Sequence, residues 1–196
     1  MRVAVFGGSF DPPHRGHERI LLTLLDSEIV DQVRVVPAQD NPFKRLSAAP
    51  DQRLLMLRAM MEGLRLGPPA CVLDERQIRC PQEDSCTLEL MRELRSENPQ
   101  DEFWFVIGGD LLDQLPAWHR SQDLLEETDF ILVPRGEKAE TLAPKPALRL
   151  YELKDFTPLH LSSSEIRYLC RQDGDCQELL SPAVWAYIRE TELYKD

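Results

Sequence analysis

The apolar positions along this chain change period several times, and each change marks an element. Val3 to Phe6 is a short apolar, β-branched run that ends at Gly7-Gly8, the pattern of a buried parallel strand. From about Gly16, Ile20, Leu21, Leu24 and Leu25 recur at helical spacing, and Val33 to Pro37 then reads as a second strand. Strand, helix and strand within so short a span predict a βαβ unit, and hence a parallel sheet. The polar stretch Ala38 to Pro50 predicts a long loop over one end of that sheet. A helix follows from about Asp51, with Leu54, Leu57, Met61 and Leu64 on its buried face and Gly67-Pro68-Pro69 as its stop.

Cys71 to Leu73 is a short strand candidate, and Leu88, Met91 and Leu94 mark another amphipathic helix that ends before Pro99. Phe103 to Ile107 is the strongest strand, and it also runs into glycines, Gly108-Gly109. Phe130 to Val133 and Leu148 to Leu153 complete the strands. Glu137 to Pro146 reads as a surface loop, and the C-terminal part is helical around Ile166, Leu169 and Cys170 and again from Val184 to Ile188. This order predicts an α/β protein: one doubly wound, Rossmann-like parallel sheet with helices on both faces and a helical C-terminal part. Ligands of such sheets bind beyond the carboxyl ends of the strands. Gly7 to His17, Pro37 to Arg45 and Gly108 to Asp110 all fall there.

Composition narrows the function. The 196 residues fit one domain spanning 1–196, with a core of ordinary size. A net charge of -11 argues against a broad nucleic-acid surface, though not against a nucleotide in a local pocket. No apolar run approaches membrane-spanning length and no secretory leader is apparent, so a cytoplasmic location is expected. The five cysteines form no C-x-x-C pair and read as reduced thiols.

The chemistry concentrates in Gly7-Gly8-Ser9-Phe10-Asp11-Pro12-Pro13-His14-Arg15-Gly16-His17. The glycines allow a sharp turn and close approach of backbone to a ligand. Pro12 restrains Asp11 toward extended geometry and stiffens the loop. His14 and His17 are three residues apart, on one side of a first helical turn, with Gly16 leaving room for a ligand between them. Imidazoles and outward N–H groups at a helix start suit a phosphate; two histidines at this spacing also suit a metal. The loop lacks the G-x-G-x-x-G offsets of a dinucleotide fingerprint, and the chain contains no G-x-x-x-x-G-K-[ST] loop. Far downstream, the serines of Leu161-Ser162-Ser163-Ser164-Glu165-Ile166-Arg167 read as a helix N-cap, with Arg167 adding a forked phosphate donor in the first turn.

Gly7 to His17 resembles the (H/T)xGH loop of the nucleotidyltransferase superfamily, and Leu161 to Arg167 resembles its I-S-S-T-x-I-R motif, with Leu161 and Ser164 as substitutions. Phe105 to Asp110 with Leu115 to His119, Val133 to Gly136, and the stretch Val184 to Tyr194 are similar to blocks of the nicotinate-mononucleotide adenylyltransferase family, in the family's order. The resemblance implies an enzyme of NAD biosynthesis that joins nicotinate mononucleotide to the AMP part of ATP, with Mg²⁺ carried on the ATP phosphates and no metal held by the protein alone. It implies that His14, His17 and Arg167 are catalytic. ATP would be bound by Gly7, Gly8, Ser9, Phe10, His14, His17, Gly108, Asp110, Ser163 and Arg167. Asp110 would hold a ribose hydroxyl. Lys44, Trp118 and Arg135 would bind the mononucleotide, Trp118 by stacking on the pyridine ring.

Two departures bear on the acceptor. The family's P-H-K reads Pro42-Phe43-Lys44 here, and Gln82-Glu83-Asp84 stands where the family has S-Y-T. Carboxylates facing the pocket would repel a nicotinate carboxylate, so nicotinamide mononucleotide or another phosphorylated acceptor remains an alternative, as does a non-catalytic nucleotide-binding protein. The sequence leaves the oligomeric state open, a homo-oligomer included.

Overall fold

Strands β1 (Arg2–Gly8), β2 (Gln32–Pro37), β3 (Cys71–Leu73), β4 (Glu102–Gly108), β5 (Asp129–Val133) and β6 (Leu150–Glu152) form one six-stranded sheet in the order β3-β2-β1-β4-β5-β6. The computed structural model describes residues 1–41, 45–79, 86–134, 150–154, 156–159 and 161–195. Every pairing is parallel. This is the doubly wound order, in which the chain reverses direction across the sheet between β1 and β4.

The helices are α1 (Arg15–Asp26), α2 (Pro50–Gly63), α3 (Arg76–Arg79), α4 (Thr87–Glu97), α5 (Ser121–Glu127), α6 (Ser163–Arg171) and α7 (Pro182–Glu190), with a 3₁₀ helix over Gly109–Ala117. Alternation along each strand sorts side chains to two faces. Ala4, Phe6, Trp104 and Val106 pack with Leu21, Leu24, Leu57, Ile166 and Val184 under α1, α2, α6 and α7. Val3, Val5, Phe103 and Phe105 pack with Leu88, Met91, Leu94 and Leu115 under α4 and the 3₁₀ helix. Both faces are covered, as the continuous apolar runs require.

The register opens the site. β1 pairs with β2 through Gly8↔Pro37, but with β4 only through Val5↔Phe105. Beyond Val5 the two central strands part, leaving a crevice at the switch point.

Some local readings differ. α2 ends at Gly63 rather than at Gly67-Pro68-Pro69, because Leu64 caps it and Arg65 turns left-handed at φ 56°. Its buried face carries Arg53, Met56 and Met60 as well as Leu54, Leu57 and Met61, and Leu64 is only half-buried. The 3₁₀ helix after β4 has no counterpart in the hydrophobic pattern. Cys71, Cys86, Cys170 and Cys176 are free thiols. Among the described residues no helix is long and apolar enough to cross a membrane. Residues 137–146 lie outside those described.

Candidate active site

The signature loop is built before any ligand enters. Gly7 carries no Cβ because one would meet the Phe105 ring at 3.1 Å; at Gly8 it would meet Phe10 at 3.0 Å. These glycines therefore admit the protein's own aromatic rings. Phe10, left-handed at φ 49°, is fully buried, edge-on to Phe6 at 5.5 Å and to His17 at 4.9 Å. Its side chain belongs to the core, so only its backbone is left to meet a ligand.

His14 is the N-cap of α1, and the two imidazoles cap the helix reciprocally. His14 Nδ1 accepts from the Gly16 N–H at 3.1 Å, and His17 Nδ1 accepts from the His14 N–H at 3.1 Å. A ring nitrogen that accepts cannot carry the proton, so each neutral ring is held with its hydrogen on Nε2. The rings lie nearly stacked, with centroids 3.8 Å apart and planes 31° apart. In that tautomer each ring carries its donor at Nε2. The amides of His14 and Gly16 are engaged by Nδ1 atoms.

Gly16 has a strict reason to be glycine: a Cβ there would stand 2.9 Å from His14 Cε1 and Nδ1. Gly16→Ala should displace the His14 ring and lower kcat on the order of tenfold. Global stability should shift by less than about 1 kcal/mol, because alanine's helix preference offsets the strain. Thermal unfolding beside turnover checks this; a wild-type kcat would sink it.

The late serine–arginine turn meets this loop directly. Ser163 Oγ donates to the Pro12 carbonyl at 2.9 Å, and Arg167 Nη1 donates to the Asp11 carbonyl at 2.7 Å, over 151 and 156 residues of sequence separation. α6 begins with the expected serine N-cap, completed as a capping box: Ser162 Oγ accepts from the Glu165 N–H at 3.2 Å, and Glu165 Oε2 accepts from the Ser162 N–H at 2.9 Å. Arg167 Nη2 reaches Ser164 Oγ at 3.3 Å, while its buried Nε has no hydrogen-bond partner among the described residues. A polar N–H left in that state is suited to an incoming acceptor.

On the opposite side, Gly108 closes β4 and Asp110 is exposed at the start of the 3₁₀ helix. Trp118 ends that helix, half-buried and edge-on to Phe105 at 6.1 Å. Phe105 also faces Gly7, so one ring separates Trp118 from the signature loop. Lys44 and Arg135 lie outside the described residues, as do Phe43 and Gln82-Glu83-Asp84.

Sequence reasoning missed the polar anchors beneath the loop. The Asp11 carboxylate is buried and accepts from Ser47 N–H at 2.7 Å, Ala48 N–H at 3.0 Å and the Tyr194 hydroxyl at 2.7 Å. Burial, followed by the Asp11 charge, pushes the Tyr194 phenol far above its ordinary value, so it stays a protonated donor. Arg53, fully buried, donates to three backbone carbonyls. Burial pulls its guanidinium below the usual value while Asp11 acts in the opposite sense. A signal for Arg53 existed: it stands at i with Met56, Leu57 and Met60 at i+3, i+4 and i+7, a charge on an apolar stripe.

The chain is similar to known proteins over most of its length. A model of the cytidylyltransferase-like family matches residues 5–169. A probable nicotinate-nucleotide adenylyltransferase of Listeria monocytogenes is 31% identical over 195 residues, covering 98% of this chain and 97% of the relative. One of Synechococcus is 35% identical over 204 residues, covering 100% and 95%. The fold is shared with a solved Plasmodium falciparum nicotinic acid mononucleotide adenylyltransferase complexed with NaAD, at a TM-score of 0.84 and 22% identity, over 98% of this chain and 97% of that one.

Proposed function

The chain belongs to the cytidylyltransferase-like family, among its nicotinate-nucleotide adenylyltransferases, and from that premise we propose how its cleft performs adenylyl transfer. The reaction joins nicotinate mononucleotide to the AMP moiety of ATP, giving deamido-NAD and pyrophosphate in NAD biosynthesis. One observation carries the site assignment: the histidine loop and the serine–arginine turn are hydrogen-bonded together at the open end of β1.

The mononucleotide phosphate attacks the α-phosphorus of ATP, and pyrophosphate leaves. That phosphate has a second pKa near 6 and is largely ionised at neutral pH, so the protein supplies no base. Its work is to bring two polyanions together and to stabilise charge on the five-coordinate phosphorus. In this reading His14 and His17 donate through Nε2–H to the phosphate oxygens. Arg167, through Nε, holds the triphosphate, and Ser163, its hydroxyl given to the Pro12 carbonyl, fixes the α6 start beside it. The backbone of Gly7, Gly8, Ser9 and Phe10 and the β4 end at Gly108 frame the adenosine side, and Asp110 accepts from a ribose hydroxyl. Trp118 stacks on the pyridine ring, and Lys44 and Arg135 complete the mononucleotide side.

Magnesium enters as part of the substrate, MgATP, where it neutralises phosphate charge. The carboxylate of the signature loop, Asp11, is already occupied by three donors, and among the described residues no group of three His, Cys, Asp or Glu is arranged to hold a metal. A phosphate-borne ion that keeps most of its waters fits this arrangement.

Pyrophosphate release from ATP, measured with the acid and amide mononucleotides side by side, tests the acceptor. The acid should be preferred at least about tenfold in kcat/KM, the scale of one charge-assisted hydrogen bond. An equal or reversed preference would reassign the acceptor and leave the transfer chemistry standing.

A further inference from the structure

Among the described residues, Arg53 is the only fully buried lysine or arginine. Its Nη1 donates to the Ser9 carbonyl at 2.9 Å and the Ala38 carbonyl at 2.7 Å, and Nη2 donates to the Gln39 carbonyl at 2.9 Å. These carbonyls mark the place where β1 and β2 separate. The last backbone rung there is the Ala38 N–H donating to the Gly8 carbonyl at 2.9 Å. Past it the guanidinium takes over as donor, and buried carbonyls need one.

Asp11 does the complementary job with opposite charge. Its carboxylate accepts the Ser47 and Ala48 amides at 2.7 and 3.0 Å, just before α2 begins. The residues leaving β2 and those entering α2 are therefore both tied to the signature loop. A cavity of about 730 Å³ lies against them, lined by Gln39, Asn41, Arg45, Ser47 and Arg53 itself.

We propose that Arg53 and Asp11 are positioning residues for the transfer, two buried groups of opposite charge that set where the backbone at Ala38–Gln39 and at Ser47–Ala48 stands against the signature loop. The proposal rests on reading the cleft as the adenylyl-transfer site. Each acts through the backbone it holds rather than at the reacting atoms: Arg53 through the Ser9, Ala38 and Gln39 carbonyls, Asp11 through the Ser47 and Ala48 amides. In-line transfer is sensitive to such geometry, since a displacement of about 1 Å can cost on the order of 100-fold in rate. Lysine at position 53 would keep the charge, but its compact ammonium lacks the planar fork that spans three carbonyls.

The test is Arg53→Lys in the full chain, with competent sites counted by calorimetric titration against a non-hydrolysable ATP analogue. Turnover per competent site should fall about 10- to 100-fold while KM for each substrate stays within about threefold, the mark of misalignment rather than lost binding. Amide hydrogen exchange at Ala38, Ser47 and Ala48 should quicken, with β4 and β5 unchanged. Turnover per site within about twofold of wild type, an effect confined to KM, or unaltered exchange at those amides would overturn the proposal. If Arg53→Lys does not fold, Tyr194→Phe removes one donor from Asp11 and carries the same readouts, with an expected loss of about three- to tenfold. Should wild type release no pyrophosphate from ATP and nicotinate mononucleotide, the transfer reading fails, and the exchange measurement still decides the pinning.

Discussion

His17→Ala should lower kcat by about 100- to 1,000-fold, the scale seen when one preorganised donor to a developing charge is removed. The same change removes the acceptor for the His14 N–H and should cost about 1 kcal/mol of stability as a lost cap. The two effects separate with His17→Asn, whose Oδ1 can occupy the place of Nδ1 and accept that N–H, while nothing replaces Nε2–H. Stability should then stay within about 0.5 kcal/mol of wild type and turnover should remain low. Pyrophosphate release and thermal unfolding, run on wild type and both variants, make the comparison. Near-normal turnover in His17→Asn would remove the ring from the chemistry and leave it a helix cap.

Arg167→Ala should be as damaging, by a different route. The side chain bonds the Asp11 carbonyl at 2.7 Å and brings a buried Nε–H to the same place. Losing a charged donor to a phosphate oxygen costs about 1.5–3 kcal/mol, which is roughly 10- to 100-fold in kcat/KM for ATP. Loosening of the signature loop, no longer held by that bond, should add to the loss and carry it toward 1,000-fold. Arg167→Lys should recover only part, because an ammonium is a point charge without the fork. The measurement is kcat/KM for ATP at saturating mononucleotide. Wild-type values in Arg167→Ala would confine Arg167 to a structural tie between α6 and the loop.

Much of the fold was legible because its signals are local. Continuous apolar runs ending in glycine marked β1 and β4, since strands covered on both faces need no alternation of polar residues. The capping box at Ser162 and Glu165 was equally readable, because its partners lie three residues apart. The histidine spacing pointed to one helical turn, and the structure places both rings there. Their tautomers were not legible: these depend on which backbone N–H each Nδ1 accepts, and that follows from the N-cap conformation of His14, φ −146° and ψ 173°.

The hydrophobic pattern carried no trace of the 3₁₀ helix at Gly109–Ala117. Pro116 inside it interrupts ordinary helical signalling, and only packing of Leu112 and Leu115 against the sheet stabilises the segment. The roles of Gly7 and Gly8 also needed neighbours distant in sequence or in an unusual turn. Which ring fills the missing Cβ is decided by Phe105, a strand away, and by Phe10 in its left-handed conformation.

The sequence by itself determined the parallel α/β sheet, the histidine loop at the end of its first strand and the capped turn that answers it late in the chain. Each rests on periodicity or on partners within one turn. Tertiary structure alone decided that β1 and β4 part after Val5, and that Arg53, Asp11 and Tyr194 meet beneath the loop. The Asp11–Tyr194 bond spans 183 residues, and polar groups so far apart in the chain become partners only when burial strips their water and leaves each other's hydrogen bonds as the replacement.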